Sequence, residues 1–281
     1  MTIDIQNLGF RYPGMKSPVF SDFSMQLTAN NIYGLLGKNG TGKSTLLYII
    51  SGLLHPQGGT VTIDGVAPGR RLPSTLEEIF IVPEEYELPS MTLDEYVRIN
   101  EPFYPRFSRE VLRKCLEDFE LTTDLHLNAL SMGQKKKVYM SFALAAGTRL
   151  LLMDEPTNGL DIPAKAQFRR VEANYMSDDR MLLISTHQVH DVETLLDHIL
   201  ILSQSQLLLD TPVSDICQRY CFAHRSPGED ISGVLYSEPT IQGNAVVTLR
   251  SDDMVETPLD LELLFNAVTS GSLSHRRPLV G

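Results

Sequence analysis

The sequence predicts an α/β fold on a mainly parallel central sheet. An N-terminal antiparallel β subdomain, an inserted α-helical subdomain and a small α+β C-terminal extension complete it. Apolar and polar residues alternate over 2–28 and again at Val61 and Ile63, the pattern of half-buried antiparallel strands. Short apolar runs at 79–82, 150–153 and 181–184 suit strands buried on both faces, with helical patterns between them. Residues 37–45 read GKNGTGKST, between an apolar strand-like run and an apolar helix-like run.

Composition bounds what such a chain does. The 281 residues suffice for a proper core. A formal net charge of −11 argues against a nucleic-acid partner, which selects a basic face. Cys115, Cys217 and Cys221 make no disulfide framework, so buried or free thiols are expected; Cys217 and Cys221 fall four apart on a predicted helix. No apolar run approaches the ~18 residues of a membrane span, and the N-terminus is not patterned as a signal peptide. A soluble, cytoplasmic chain is expected, with any membrane part on another polypeptide.

In chain order, the N-terminal alternation breaks at a Pro13-Gly14 turn. Tyr12 lies beside that turn, where an aromatic ring either stacks on a base or rims the core. The stretch 37–45 fits G-x-x-x-x-G-K-[ST], the phosphate-cradling loop. Gly37, Gly40 and Gly42 let the backbone turn and leave no Cβ in the way of a phosphate. Lys38, Asn39 and Thr41 complete the cradle. The helix from about Gly42 adds N–H groups and dipole, Lys43 a charge for the outer phosphates, Ser44 a hydroxyl for Mg²⁺, and Thr45 a neighbouring hydroxyl.

Gly58-Gly59 and Pro68-Gly69 mark turns, and the strand at 79–82 ends at Pro83 with Glu84 and Glu85 just beyond. Thr92 to Glu95 fits a helix capping box. From Ser108, the residues Val111, Leu112, Cys115, Leu116 and Phe119 share a helical face, with Glu110/Lys114 and Arg113/Glu117 outside it. Ser131 to Gln134 fits a second capping box: either a plain helix start or an anion site at a helix N-terminus. Lys135, Lys136 and Lys137 behind it are expected on a solvated face.

The run at 150–153 ends in two carboxylates. The carboxyl end of a parallel strand is where α/β sheets bind ligands, so Asp154 is a candidate Mg²⁺ holder and Glu155 a candidate base. Asn158 to Asp161 is a turn by composition, followed by a helix carrying Phe168, Val171 and Tyr175. His187 ends the strand at 181–184 level with the carboxylates, a catalytic position; His190 and His198 are expected at the surface. Runs at 199–202 and 207–209 predict a further strand pair. Beyond Pro212 come a helix over 214–220, a loop at 226–230, short strands at 234–236 and 245–249, a helix over 259–268 and a frayed tail, SHRRPLVG.

These stations, in this order, resemble the ATP-binding subunit of an ABC transporter, a P-loop NTPase, over about residues 2–212. GKNGTGKST resembles the Walker A motif, LLLMDE the Walker B motif, LSMGQ the ABC signature and NGLD the D-loop, with His187 as switch histidine and Tyr12 as adenine-stacking aromatic. The resemblance implies an ATPase domain at 1–212, with a helical subdomain at about 88–146 and an extension at 213–281. It departs from the family at Met132, where glycine is usual, and at Glu84, where the family has a glutamine. Glu84 adds a third carboxylate near Asp154 and Glu155, expected to strengthen the demand for metal. The VPEE sequence, Phe103-Tyr104-Pro105 and the helix near Leu261 resemble single-domain subunits of exporter-type permeases.

The resemblance implies a homodimer, or a pair with a related ATPase subunit, that sandwiches ATP and Mg²⁺. One chain supplies residues 37–45 and Tyr12; the other supplies Ser131, Gly133 and Gln134. Lys43, Glu155 and His187 would be catalytic, Asp161 would signal across the dimer, and Ser44, Glu84 and Asp154 would hold the metal. The implied partners are integral membrane permease subunits, which place the chain at the inner face of the cell membrane. The alternatives are a soluble ABC ATPase in cofactor assembly or another non-transport process, and a non-catalytic regulatory subunit.

Overall fold

The N-terminal alternation folds as expected. In the computed structural model, which describes residues 1–176, 179–230, 232–251 and 255–273, β1 (Thr2–Phe10) pairs antiparallel with β2 (Phe20–Thr28) on one side and β4 (Gly58–Ile63) on the other. Gly58 and Gly59, expected in a turn, instead open β4. Gly59 is left-handed (φ +74°), and a Cβ there would lie 2.2 Å from the Gln6 carbonyl oxygen. It therefore serves a close backbone approach beside the β1 irregularity, not a chain reversal.

Between β2 and β4 the chain forms β3 (Ile32–Leu36) and α1 (Lys43–Ile50). A short α2 (Pro73–Leu76) precedes β5 (Ile79–Val82). With β6 (Leu150–Asp154), β7 (Met181–Thr186), β8 (His198–Ser203) and β9 (Gln206–Pro212), the central sheet has the order β5-β6-β7-β3-β8-β9. All neighbours are parallel except β8 and β9. Every residue of β6 and β7 is buried, as the unbroken apolar runs require. The order matters for the site: β3 is third in sequence but lies beside β7, so the ends of β6, β7 and β3 adjoin.

The inserted helices are α3 (Leu93–Asn100), α4 (Arg109–Asp118) and α5 (Met132–Ala145). Thr92 and Ser131 close the two expected capping boxes, and Ser108 caps α4. Leu112, Cys115, Leu116 and Phe119 are buried, while Glu110–Lys114 and Arg113–Glu117 pair on the exposed side. The Phe142 ring of α5 lies 5.1 Å from both Tyr96 and Phe107 and 5.8 Å from Phe80 of β5, which fastens the insertion to the sheet. Then α6 (Ile162–Tyr175) buries Phe168 and Val171.

His198, expected at the surface, is largely covered: its Nε2 pairs with Asp210 at 2.6 Å and its ring meets Tyr33 at 5.0 Å. The neighbouring strand β9, through Asp210, covers it.

The C-terminal part comprises α7 (Val213–Arg219), β10 (Tyr220–Arg225), β11 (Val234–Thr240), β12 (Gly243–Leu249) and α8 (Leu261–Thr269), with sheet order β10-β12-β11. The strand β10 was not expected: the helix ends at Arg219 and Tyr220 opens the strand. Cys217 and Cys221 therefore sit on different elements, and all three cysteines are free and buried. Leu261, Leu264 and Val268 of α8 share one apolar cluster with Leu182 and Ile184 of β7. The tail SHRRPLVG lies outside the described residues.

One buried group on α6 sets a pH dependence. Both carboxyl oxygens of Glu172 are buried without a hydrogen-bond partner. Burial raises its pKa to about 8, against the opposing pull of Arg180. An unfolded glutamate ionises near pH ~4.3, so the folded state binds the extra proton between about pH 4.3 and 8. Stability falls as pH rises through that window and levels off above it. Glu172→Gln is expected to stabilise the protein at pH 8 by about 1–3 kcal/mol, the gain shrinking toward pH 5. Thermal melts across pH 5–8 check it; a pH-independent difference would contradict it.

Candidate active site

The loop after β3 curls over the carboxyl edge of the sheet. Gly40 (φ +80°) and Gly42 (φ +101°) are left-handed, and Gly42 is the N-cap of α1. A Cβ on Gly40 would meet nothing within 4 Å, so that side of the loop is open. Gly37 is small for another reason than the one expected. A Cβ there would lie 2.6 Å from Thr41 Oγ1 and 2.7 Å from the Leu202 carbonyl oxygen, so protein atoms and not a phosphate demand the glycine. Thr41 Oγ1 closes the loop by donating to the Lys38 carbonyl at 2.8 Å.

Lys43 is buried, donates to the Gly37 carbonyl at 2.8 Å, and lies 3.6 Å from Glu155 Oε1. Tyr12 and Thr45 share a hydrogen bond of 3.1 Å, and the Tyr12 ring stands edge-on to Phe10 at 5.0 Å. Around them is a cavity of about 320 Å³ lined by Tyr12, Met15, Val19, Asn39, Gly40, Gly42, Lys43, Ser44, Thr45, Glu84 and Glu155.

The carboxylates stand at the end of β6. Ser185 Oγ donates to Asp154 Oδ1, while Asp154 Oδ2 is buried with no partner. Burial raises the Asp154 pKa; hydrogen bonds from Ser185 and Ser44 oppose this, and Glu155 and Glu84 add to it. Glu155 is left-handed (φ 45°) and its N–H donates to the Ser185 carbonyl at 2.9 Å. Its Oε2 accepts from Thr186 Oγ1 at 3.0 Å and the His187 N–H at 3.2 Å, and its Oε1 lies 2.8 Å from His187 Nδ1. Residues far apart in sequence thus form one polar cluster around Glu155.

Glu84 lines the cavity, and its Oε1 accepts from Asn158 Nδ2 at 2.8 Å. Among the described residues, no three His, Cys, Asp or Glu side chains converge as a metal-holding group. Glu84, Asp154 and Glu155 therefore do not close into a carboxylate cage.

Ser131, Gly133, Gln134 and Asp161 do not line this cavity. Ser131 and Gln134 are exposed and bonded to each other's backbones, Asp161 Oδ1 caps α6 by accepting from Ala164 N–H at 2.9 Å, and Met132 is 71% exposed. The lysine run is not a solvated face. Lys136 is buried and reaches the backbone of 155–158, and Lys137 donates to Gln167 Oε1 at 2.8 Å. The helix turns these residues inward because α6 and the loop before it cover that side. Lys136, Asn158, Ser185 and Thr186 escaped the sequence reading, since only a polar residue ending a buried strand marks the last two.

A loop of this geometry, at the carboxyl edge of a parallel sheet, with Asp154 and Glu155 beside it, defines a P-loop nucleoside triphosphatase. Comparison with known proteins narrows the class. The sequence profile described as ABC transporter matches residues 20–158. The protein tll2439 of Thermosynechococcus vestitus, assigned by name to the ABC transporter ATP-binding proteins, is 32% identical over 225 residues, covering 76% of this chain and 79% of that one. The taurine import ATP-binding protein TauB of Pseudomonas putida is 27% identical over 226 residues, 78% of this chain and 85% of that one. A solved ATP-binding subunit of an ABC transporter superposes with TM-score 0.68 at 25% identity, covering 77% of this chain and 92% of that one. The chain belongs to the ATP-binding subunits of ABC transporters, which bind and hydrolyse ATP and work with transmembrane partners.

Gly37→Ala tests the packing that shapes the loop. The added methyl has no room against backbone, so the loop must shift. A loss of about 1–3 kcal/mol in stability and a tenfold or greater weakening of ATP binding are expected. Thermal melts and titration with a fluorescent ATP analogue check both; unchanged ATP affinity would show that the loop tolerates the shift.

Proposed function

We propose that this subunit hydrolyses ATP with Glu155 as general base, in a dimer whose two sites each combine residues from both copies, and that it drives an exporter. The observation that carries the reading is the setting of Glu155: a buried carboxylate between Lys43 and His187, at the rim of the loop that cradles phosphates.

The chemistry follows from the donors. Backbone N–H groups of 39–45 and the α1 N-terminus bind the triphosphate, and Lys43 turns its charge from the Gly37 carbonyl and Glu155 toward the outer phosphates. Tyr12, anchored by Phe10 and Thr45, carries the base. Glu155, oriented by Thr186 and His187, takes the proton of the attacking water. His187 holds the γ-phosphate and, on its loss, releases Glu155. The orphan oxygen of Asp154 and the neighbouring Ser44 fit Mg²⁺, which takes few protein ligands and keeps its others from phosphates and water. Glu84 borders that position. The ion would supply charge neutralisation on the β- and γ-oxygens.

The dimer is supported by the exposed N-terminus of α5. Ser131, Gly133 and Gln134 present a capped but open helix start away from the chain's own cavity, suited to the γ-phosphate held by a second copy. Gly159 and Leu160, which lead to Asp161, lie against Met132 and Gly133 of the same surface. A homodimer satisfies this, as does a pair with a related ATPase subunit.

The membrane partner is a permease subunit, which would hold the chain at the inner face of the cell membrane; no helix among the described residues is long and apolar enough to cross one. Ile99 and Phe103 on the insertion are exposed and available to it. Export is favoured by VPEE at 82–85 and by Phe103-Tyr104-Pro105. Helix α8 of the proposed C-terminal extension packs against the segment after His187, where it can regulate.

Glu155→Gln is expected to cut ATP turnover by about 10²–10⁴-fold while ATP binding survives, and to accumulate an ATP-dependent dimer in size-exclusion chromatography. A monomer at saturating MgATP would remove the dimer mechanism. Extraction in detergent is expected to recover the chain with a membrane protein; a chain that purifies alone would favour a non-transport role in cofactor assembly.

A further inference from the structure

Three carboxylates, Glu84, Asp154 and Glu155, flank the cradle, and Lys43 is the cation on the loop side. On the opposite side a second lysine is buried. Lys136, one turn into α5, is 7% exposed and its Nζ donates to the Asn158 carbonyl at 2.6 Å and the Glu155 carbonyl at 3.3 Å. Asn158 in turn donates its side-chain amide to Glu84. One ammonium thus grips the main chain on both sides of the turn that carries Glu155, and the same turn holds Glu84.

Burying a lysine against two carbonyls is costly unless negative charge lies near. Desolvation indeed lowers the Lys136 pKa, and Glu84, Glu155 and Asp154 oppose it, Glu84 most. Glu155 needs that grip because its own backbone is left-handed (φ 45°), a conformation that is strained for a non-glycine residue. Two functions meet in one side chain: geometric restraint of Glu155 and charge balance for Glu84.

We propose that Lys136 is a positioning residue for ATP hydrolysis, fixing the backbone of Glu155 and Asn158 and acting as the counter-charge that makes Glu84 tolerable at the rim of the site. This rests on the reading of Glu155 as the base. Lys136 does not line the cavity; it acts through Glu155 and Glu84, so the two substitutions that remove its charge and Glu84's are coupled.

The test uses the full chain and four variants: Lys136→Gln, Lys136→Arg, Glu84→Gln and the Lys136→Gln/Glu84→Gln pair. ATP turnover, KM for ATP, binding of a fluorescent ATP analogue with Mg²⁺ or EDTA, and thermal midpoint are measured for each. Lys136→Gln is expected to lower kcat about 10–100-fold with KM changed less than about threefold and with binding in EDTA unchanged. Adding Glu84→Gln is expected to recover about tenfold of that loss, and Lys136→Arg to stay within about fivefold of the parent. Lys136→Met, which fills the space without charge, repeats the measurement if glutamine there prevents folding. Additive single and double effects would overturn the charge coupling. Unchanged kcat in Lys136→Gln, or a loss of kcat matched by weaker EDTA binding, would overturn the positioning role. Full activity in Glu155→Gln would instead overturn the base assignment and leave the Glu84–Lys136 coupling to be judged on the double variant.

Discussion

The buried ion pair between Lys43 and Glu155, 3.6 Å apart, is the contact on which the rest of this site depends. It joins the loop after β3 to the loop after β6, across β7, which lies between them in the sheet. Each partner is about 6% exposed, so neither charge is stable there alone. Breaking a buried pair by removing one partner leaves an uncompensated charge, at a cost of about 3–5 kcal/mol. The pair therefore holds the two side chains, one from each loop, in one place.

Around that pair the polar groups are organised in tiers. Ser185 supports Asp154 and the Glu155 N–H, Thr186 and His187 orient the Glu155 carboxylate, and Lys136 holds its carbonyl. Every one of these partners comes from a different segment from Glu155 itself. The left-handed backbone of Glu155 is stable because so many fixed donors and acceptors agree on it. Within this inner group Asp154 Oδ2 is buried without a partner, with Ser44 beside the same carboxylate.

Helix α8 braces the segment that follows His187. Glu262 of α8 pairs with His190 at 2.6 Å, and Glu193 accepts from the Leu261 N–H at 2.7 Å. Both contacts land within six residues of His187. Helix α8 also shares the apolar cluster of β7, so it is tied to the strand that leads into His187. The segment's other neighbour is α6, whose Lys165 holds Gln188 at 3.0 Å.

By itself the sequence determined the element types, the loop and the helix caps. Those signals are local: glycine spacing in 37–45, unbroken apolar runs for β5, β6 and β7, and side chain to backbone bonds three residues apart at Thr92 and Ser131. The placement of Glu155 and His187 at one edge of the sheet was legible for the same reason, since each ends a buried run. The tertiary structure decided what depends on residues remote in sequence. Strand order placed β3 beside β7 and so brought Lys43 to Glu155. Packing of α5 against the loop after β6 turned Lys136 inward from a run that composition alone assigns to solvent. Buried neighbours likewise covered His198 and made Tyr220 the start of a strand. Charge and periodicity describe a residue's own element; burial is set by whatever that element packs against.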